Sequence, residues 1–188
     1  MSVVDHRPAL SLRAVRETSQ PGYVVVAAVS AVIAAGIHFA LVPEHLREAT
    51  LIGTFFAAVA AGQLALAAAL RRRLPVAALV SAIVAHVGLI ALYVASRSVG
   101  LPFVPAHHAV QHLPVARGVG NGIPIYPGAR TEPVGVLDIV CLVTELVLIA
   151  ALAGLLPARV RDRVTGTMVT LGLLGLVAVA GRVVVAMT

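Results

Sequence analysis

Histidines and carboxylates are the chemistry-bearing residues of this chain, and they fall in a few places. "HFALVPEH" puts His38, Glu44 and His45 at the end of a long apolar run. "AHHAVQH" carries His107, His108 and His112, the last two one turn apart if the stretch is helical. Imidazole with carboxylate suits zinc, copper, iron or nickel, and a shortage of soft thiolate weakens the case for copper(I). His38, Glu44 and His45 form the first candidate ligand set for a transition metal or a proton, and His107, His108 and His112 the second. The competing reading is plain: loop histidines are often solvated, and interfacial ones often bond lipid headgroups.

Six polar residues stand inside apolar runs: His38, Gln63, His86, Asp138, Glu145 and Arg182. Each is costly there, since a charge at the centre of a membrane helix costs about 2.5–3.5 kcal/mol on insertion scales. At a rise of about 1.5 Å per residue, His38, Asp138 and Arg182 each sit within about 10 Å of one boundary. Arg182 and Asp138 are the natural charge pair of that layer. Glu145 lies two turns beyond Asp138 on nearly the same face, with Cys141 between them. His86 and Glu145 both fall near mid-span, which predicts a hydrogen bond or ion pair, and Gln63 is placed to join it. Such residues serve as interhelical ties or form a hydrophilic track for ions, protons or a cofactor, here open only to the outer side.

The elements that must position these groups follow from composition. Of 188 residues, 60% are hydrophobic and 12% charged, and mean hydropathy is +1.00. A soluble domain carries about 25% charged residues. Too little polar surface remains to face water, so the bilayer is the implied solvent. The 14 basic residues are all arginine, in short clusters between apolar runs, which argues for membrane topology and against nucleic acid. A single cysteine, Cys141, rules out an internal disulfide framework or a paired-thiol motif.

A bilayer core of about 30 Å takes roughly 20 helical residues. Five stretches reach that length: Tyr23–Val42, Thr50–Leu70, Pro75–Ala95, Val134–Leu156 and Gly166–Met187. The expected fold is an all-α polytopic bundle of about five spans. Residues 1–22 form a tail, and residues 97–133 a long connection rich in Pro, Gly and His. Pro43 is expected to end the first span. Arg7, Arg13, Arg16, Arg71, Arg72, Arg73, Arg159, Arg161 and Arg163 lie on one side if the N-terminus is cytoplasmic and the C-terminus outside. That arrangement satisfies the positive-inside tendency. Abundant Ala and Gly allow close helix approach. Tyr23 and Tyr93 fall at span ends, where aromatic rings anchor.

Three stretches, "HFALVPEHLREATLIGTFF", "SRSVGLPF" and "EPVGVLDIVCLVTEL", resemble an uncharacterised family of small multi-spanning bacterial membrane proteins. Its pattern is a His followed by PEH, then SRxxGLPF, then EPVGxLDxxxxxxE. The resemblance covers about a third of the chain. It implicates His38, Glu44, His45, Arg97, Gly100, Pro102, Glu132, Asp138 and Glu145; the His-rich insert lies outside the pattern. Arg97 is placed to pair with Glu132 or Glu44.

No HExxH, phosphate loop or GxSxG elbow is present, so enzyme chemistry has the least support. The functional expectation is a multi-pass cell-membrane protein with an outward-facing His/carboxylate site for a transition metal or proton. The alternatives are an accessory subunit with protein partners in a larger membrane complex, and a proton- or ion-coupled transporter.

Overall fold

The computed structural model describes residues 21–98 and 135–187, with 48, 98 and 176–187 described by their backbone alone. The expected tail, the His-rich connection with His107, His108 and His112, Glu132 and the side chain of Arg182 lie outside the described residues. The fold is all-α: α1 Pro21–Glu48, α2 Thr50–Ala69, α3 Val76–Ser98, α4 Val136–Gly154 and α5 Ala158–Met187. Four stretches of these are long and apolar enough to cross a membrane: Pro21–Arg47, Thr50–Ala69, Val76–Arg97 and Val136–Gly154. Helix α5 begins at Ala158 rather than Gly166, so Arg159, Arg161 and Arg163 ride on its first turns.

Two boundaries differ from expectation at α1. The helix starts at Pro21, where a missing N–H costs nothing. It then runs through Pro43 to Glu48 instead of stopping there. Neighbouring helices let membrane helices tolerate an interior proline, and here the last turn of α1 is clamped by α2. Ala49 alone separates the two helices, with extended φ −157° and ψ 126°. Its N–H donates to the His45 carbonyl at 2.9 Å, and its own carbonyl accepts from Ile52 and Gly53. A Cβ on Gly53 would lie 2.4 Å from Leu46 Cγ and 2.6 Å from its backbone nitrogen, so only glycine permits this corner.

Helix α1 packs chiefly on α2 and α4, α4 also takes α3, and α5 meets α4 over a small area. The interior is built from small residues on α1 (Ala27, Ala31) against Leu148, Ile149 and Leu152 of α4, with Leu79 and Ile83 from α3. Alanine brings the backbones near enough for dispersion contacts to hold helices that lipid would otherwise solvate equally well. At one end Tyr23 lies against Gly154, where a Cβ would approach the ring to 2.8 Å. The exposed arginines of the α2–α3 turn (Arg71, Arg72, Arg73) and of α5 share that end.

The outside of the bundle is the more apolar surface. Val25, Val29, Phe39, Leu51, Leu64, Val84, Ile139 and Val143 are all more than half exposed, whereas Gln63, His86 and Glu145 are almost fully buried. Water would reverse that distribution. A lipid surround explains it.

Candidate metal centre

The half-buried His38 and the buried Gln63, His86 and Glu145 form one connected chain, with one member from each of four helices. On α1, His38 Nδ1 lies 2.9 Å from the Ala34 carbonyl oxygen and 3.1 Å from Gln63 Oε1 on α2. Both neighbours are acceptors, so Nδ1 is the nitrogen that donates. Gln63 Nε2 then donates to Glu145 Oε1 on α4 at 2.5 Å. Flipping that amide would set its oxygen against a carboxylate and its N–H₂ against an N–H, so the orientation is fixed from both sides. The other carboxylate oxygen, Oε2, is hydrogen-bonded to His86 Nδ1 on α3.

Cys141 lies one turn before Glu145 on α4. One ring nitrogen of His38, the Cys141 sulfur and a Glu145 oxygen all lie within 4.8 Å of one another. A tetrahedral ion with nitrogen and sulfur bonds of about 2.0–2.3 Å sets its ligands roughly 3.3–3.8 Å apart. The trio therefore needs to close by at most about 1.5 Å, which side-chain rotation supplies. A carboxylate has about four lone-pair sites, so Glu145 can accept from Gln63 and His86 and still ligate. The backbone bond from His38 Nδ1–H is the kind of outer contact that orients a ligating imidazole.

The donors that converge on His38 among the described residues are Cys141 and Glu145. Depth was counted from Pro43, but the helix runs on, and His38 stands ten residues short of Glu48, about 15 Å from that end. His38 thus lies at the level of Glu145, while Asp138 stays nearer the Ala49 end. The His45 ring packs on Phe56 with centroids 4.1 Å apart, and the same phenyl ring lies 5.5 Å from His38. Glu44 is buried nearby on the last turns of α1.

Nearer the Ala49 end, Asp138 has a partner on α3, while its expected pairing with Arg182 falls on a side chain outside the described residues. Arg97, on the last turn of α3, reaches its Oδ1 at 3.2 Å, and the guanidinium stands 5.3 Å from the Tyr93 ring centroid. Oδ2 accepts the Gly135 N–H at 2.7 Å, so the same carboxylate closes the N-terminus of α4. Tyr93 therefore packs on the cation as well as sitting near a span end.

The expected His86–Glu145 hydrogen bond is present, and Gln63 joins it. Cys141 as a ligand was missed; its spacing of four from Glu145 was the available signal, since that spacing stacks both on one helix face. Comparison of the chain with protein-family models, curated proteins and solved structures gave no match.

Proposed function

We propose that the chain is a multi-pass protein of the cell membrane that holds a transition-metal ion inside its bundle, at His38, Cys141 and Glu145. The observation that carries this reading is the convergence of a nitrogen, a sulfur and an oxygen donor from α1 and α4 within 4.8 Å. Gln63 supports it by bonding the imidazole on one side and the carboxylate on the other. His86 holds the second carboxylate oxygen. Metal-ligating groups are commonly held by such outer contacts, whose loss lowers metal affinity about 10–100-fold.

On this reading the N-terminus is cytoplasmic. The exposed arginines of the α2–α3 turn and the start of α5 lie at one end of the bundle, which suits the cytoplasmic face. The site then opens towards the outer side, past the Arg97–Asp138 pair. The sequence pattern supports membership of the family of small multi-spanning bacterial membrane proteins that it resembles.

The test is metal content by mass spectrometry on untagged full-length protein in mild detergent, beside His38→Ala and Cys141→Ser. Near-stoichiometric metal, lost in both monodisperse variants, is the expected result. A metal-free protein that stays so after exposure to zinc, copper, iron and nickel salts would sink the reading.

A second reading has its own observation. Each of four helices contributes one member of the polar chain, as a purely structural tie in an assembly subunit would require. It expects His38→Ala to lower stability and partner retention without any change in bound metal.

A further inference from the structure

The donors themselves restrict which ion can enter. We infer that the site takes a divalent ion of the zinc class, held as an electrically neutral assembly with His38, Cys141 and Glu145, in preference to Mg²⁺, Ca²⁺ or Cu⁺. This inference rests on the metal reading above and deepens it.

Donor chemistry supplies the first argument. Mg²⁺ and Ca²⁺ require six or more oxygen donors in all. The trio offers one carboxylate, beside an imidazole and a sulfur that those ions bind poorly. Zinc and cobalt(II) accept all three donor types, with three protein ligands and one further position. Cu⁺ favours several soft donors, and Cys141 is the one cysteine of the chain.

Charge supplies the second. Glu145 is 3% exposed and its partners Gln63 and His86 are 2% and 5% exposed, while His38 and Cys141 are half-buried in an apolar bundle, so water contributes little to screening at the carboxylate. An uncompensated charge in such a place costs several kcal/mol even after relaxation. With both imidazoles neutral, one dication, one thiolate and one carboxylate sum to zero. A monocation leaves −1 and a trication +1. The nearest described arginine on α3, Arg97, is already engaged with Asp138 and Tyr93, so it does not alter that balance.

Loading exchanges the Cys141 S–H bond for a metal–sulfur bond, and the proton leaves to water. No electron moves, and no co-reactant is needed.

The experiment uses chelator-stripped, full-length protein in mild detergent, titrated with Co²⁺ as an optical stand-in for zinc. The expected result is about one Co²⁺ per chain with a thiolate-to-cobalt charge-transfer band. Cys141→Ser should abolish that band. Equimolar Zn²⁺ should remove the band from the unaltered protein, whereas a roughly 1,000-fold excess of Mg²⁺ or Ca²⁺ should leave it intact. Glu145→Gln, which keeps size and an acceptor oxygen, provides a second variant, with Co²⁺ affinity lowered about 10–100-fold. Displacement by Mg²⁺ or Ca²⁺, or by equimolar Cu⁺, would overturn the inference while the metal site itself stands. Binding without a charge-transfer band would overturn the donor set. Failure of every ion to bind defeats both readings.

Discussion

His86 Nδ1 and Glu145 Oε2 are hydrogen-bonded across the α3–α4 interface, with side chains only 6% and 4% exposed. The pair ties the third helix to the fourth at mid-bundle, where neither group has water to fall back on. Removing Glu145 leaves His86 without its carboxylate, and removing His86 leaves Glu145 with Gln63 alone. The coupling between them is therefore measurable: a double-mutant cycle of His86→Leu and Glu145→Met should give about 0.6 kcal/mol, the mean for polar pairs in membrane bundles, and no more than about 1.7 kcal/mol. Unfolding in a graded denaturing detergent reads it. A coupling of zero would show that the pair contributes nothing to holding α3.

Gln63 should matter more to the metal site than its distance from any ion suggests. Gln63→Met keeps the volume and removes both bonds, to His38 and to Glu145. Metal affinity should fall about 10–100-fold. Retention of full affinity in a folded Gln63→Met protein would mean that the trio is oriented by other contacts.

His45 is not one of the three converging donors. Its ring is packed on Phe56, so His45→Ala should leave bound metal unchanged, whereas His38→Ala should remove it. Elemental analysis of the two proteins side by side decides it, and equal loss in both would restore the ligand set expected from "HFALVPEH".

Gly53 has no room for a side chain. Gly53→Ala places a methyl group 2.6 Å from the Leu46 backbone nitrogen and should destabilise by about 1–3 kcal/mol through overpacking. Gly62→Ala, with nothing within 4 Å, should be neutral or slightly stabilising. Thermal unfolding in one detergent compares them, and similar melting temperatures would show that the α1–α2 corner yields easily.

Sidedness has its own test. In a Cys141→Ser background, cysteine replacing Ala49 should react with an impermeant reagent from outside intact cells, and cysteine replacing Arg72 only after the membrane is opened. The reverse pattern would invert the proposed orientation.

The architecture was legible in the apolar runs because a bilayer demands a nearly fixed helix length. The His86–Glu145 contact was legible for a related reason: within regular helices, depth is linear in residue number, and both residues are mid-span. His38 escaped that reasoning because its depth was measured from a proline, and the close fit of Leu46 on Gly53 keeps the helix going past Pro43. The Arg97–Asp138 pair was not legible from depth, because depth does not say which helices are adjacent, and α3 adjoins α4 at the end where Arg97 stands. Cys141 was set aside because one thiol makes no sulfur cluster, although one thiol completes a mixed donor set.

The corner at Ala49 also imposes an order on how the protein is made. Helices α1 and α2, joined by one residue, can enter the bilayer as a hairpin with His38 and Gln63 already in contact. Glu145 is 82 residues further along than Gln63. At about 5–20 residues per second it emerges roughly 4–16 s later. During that interval the nascent hairpin holds a satisfied His38–Gln63 pair but lacks both the sulfur and the carboxylate. A ribosome-bound chain ending before α4 is thus blind to metal, and the site comes into being only when the last of its helices arrives.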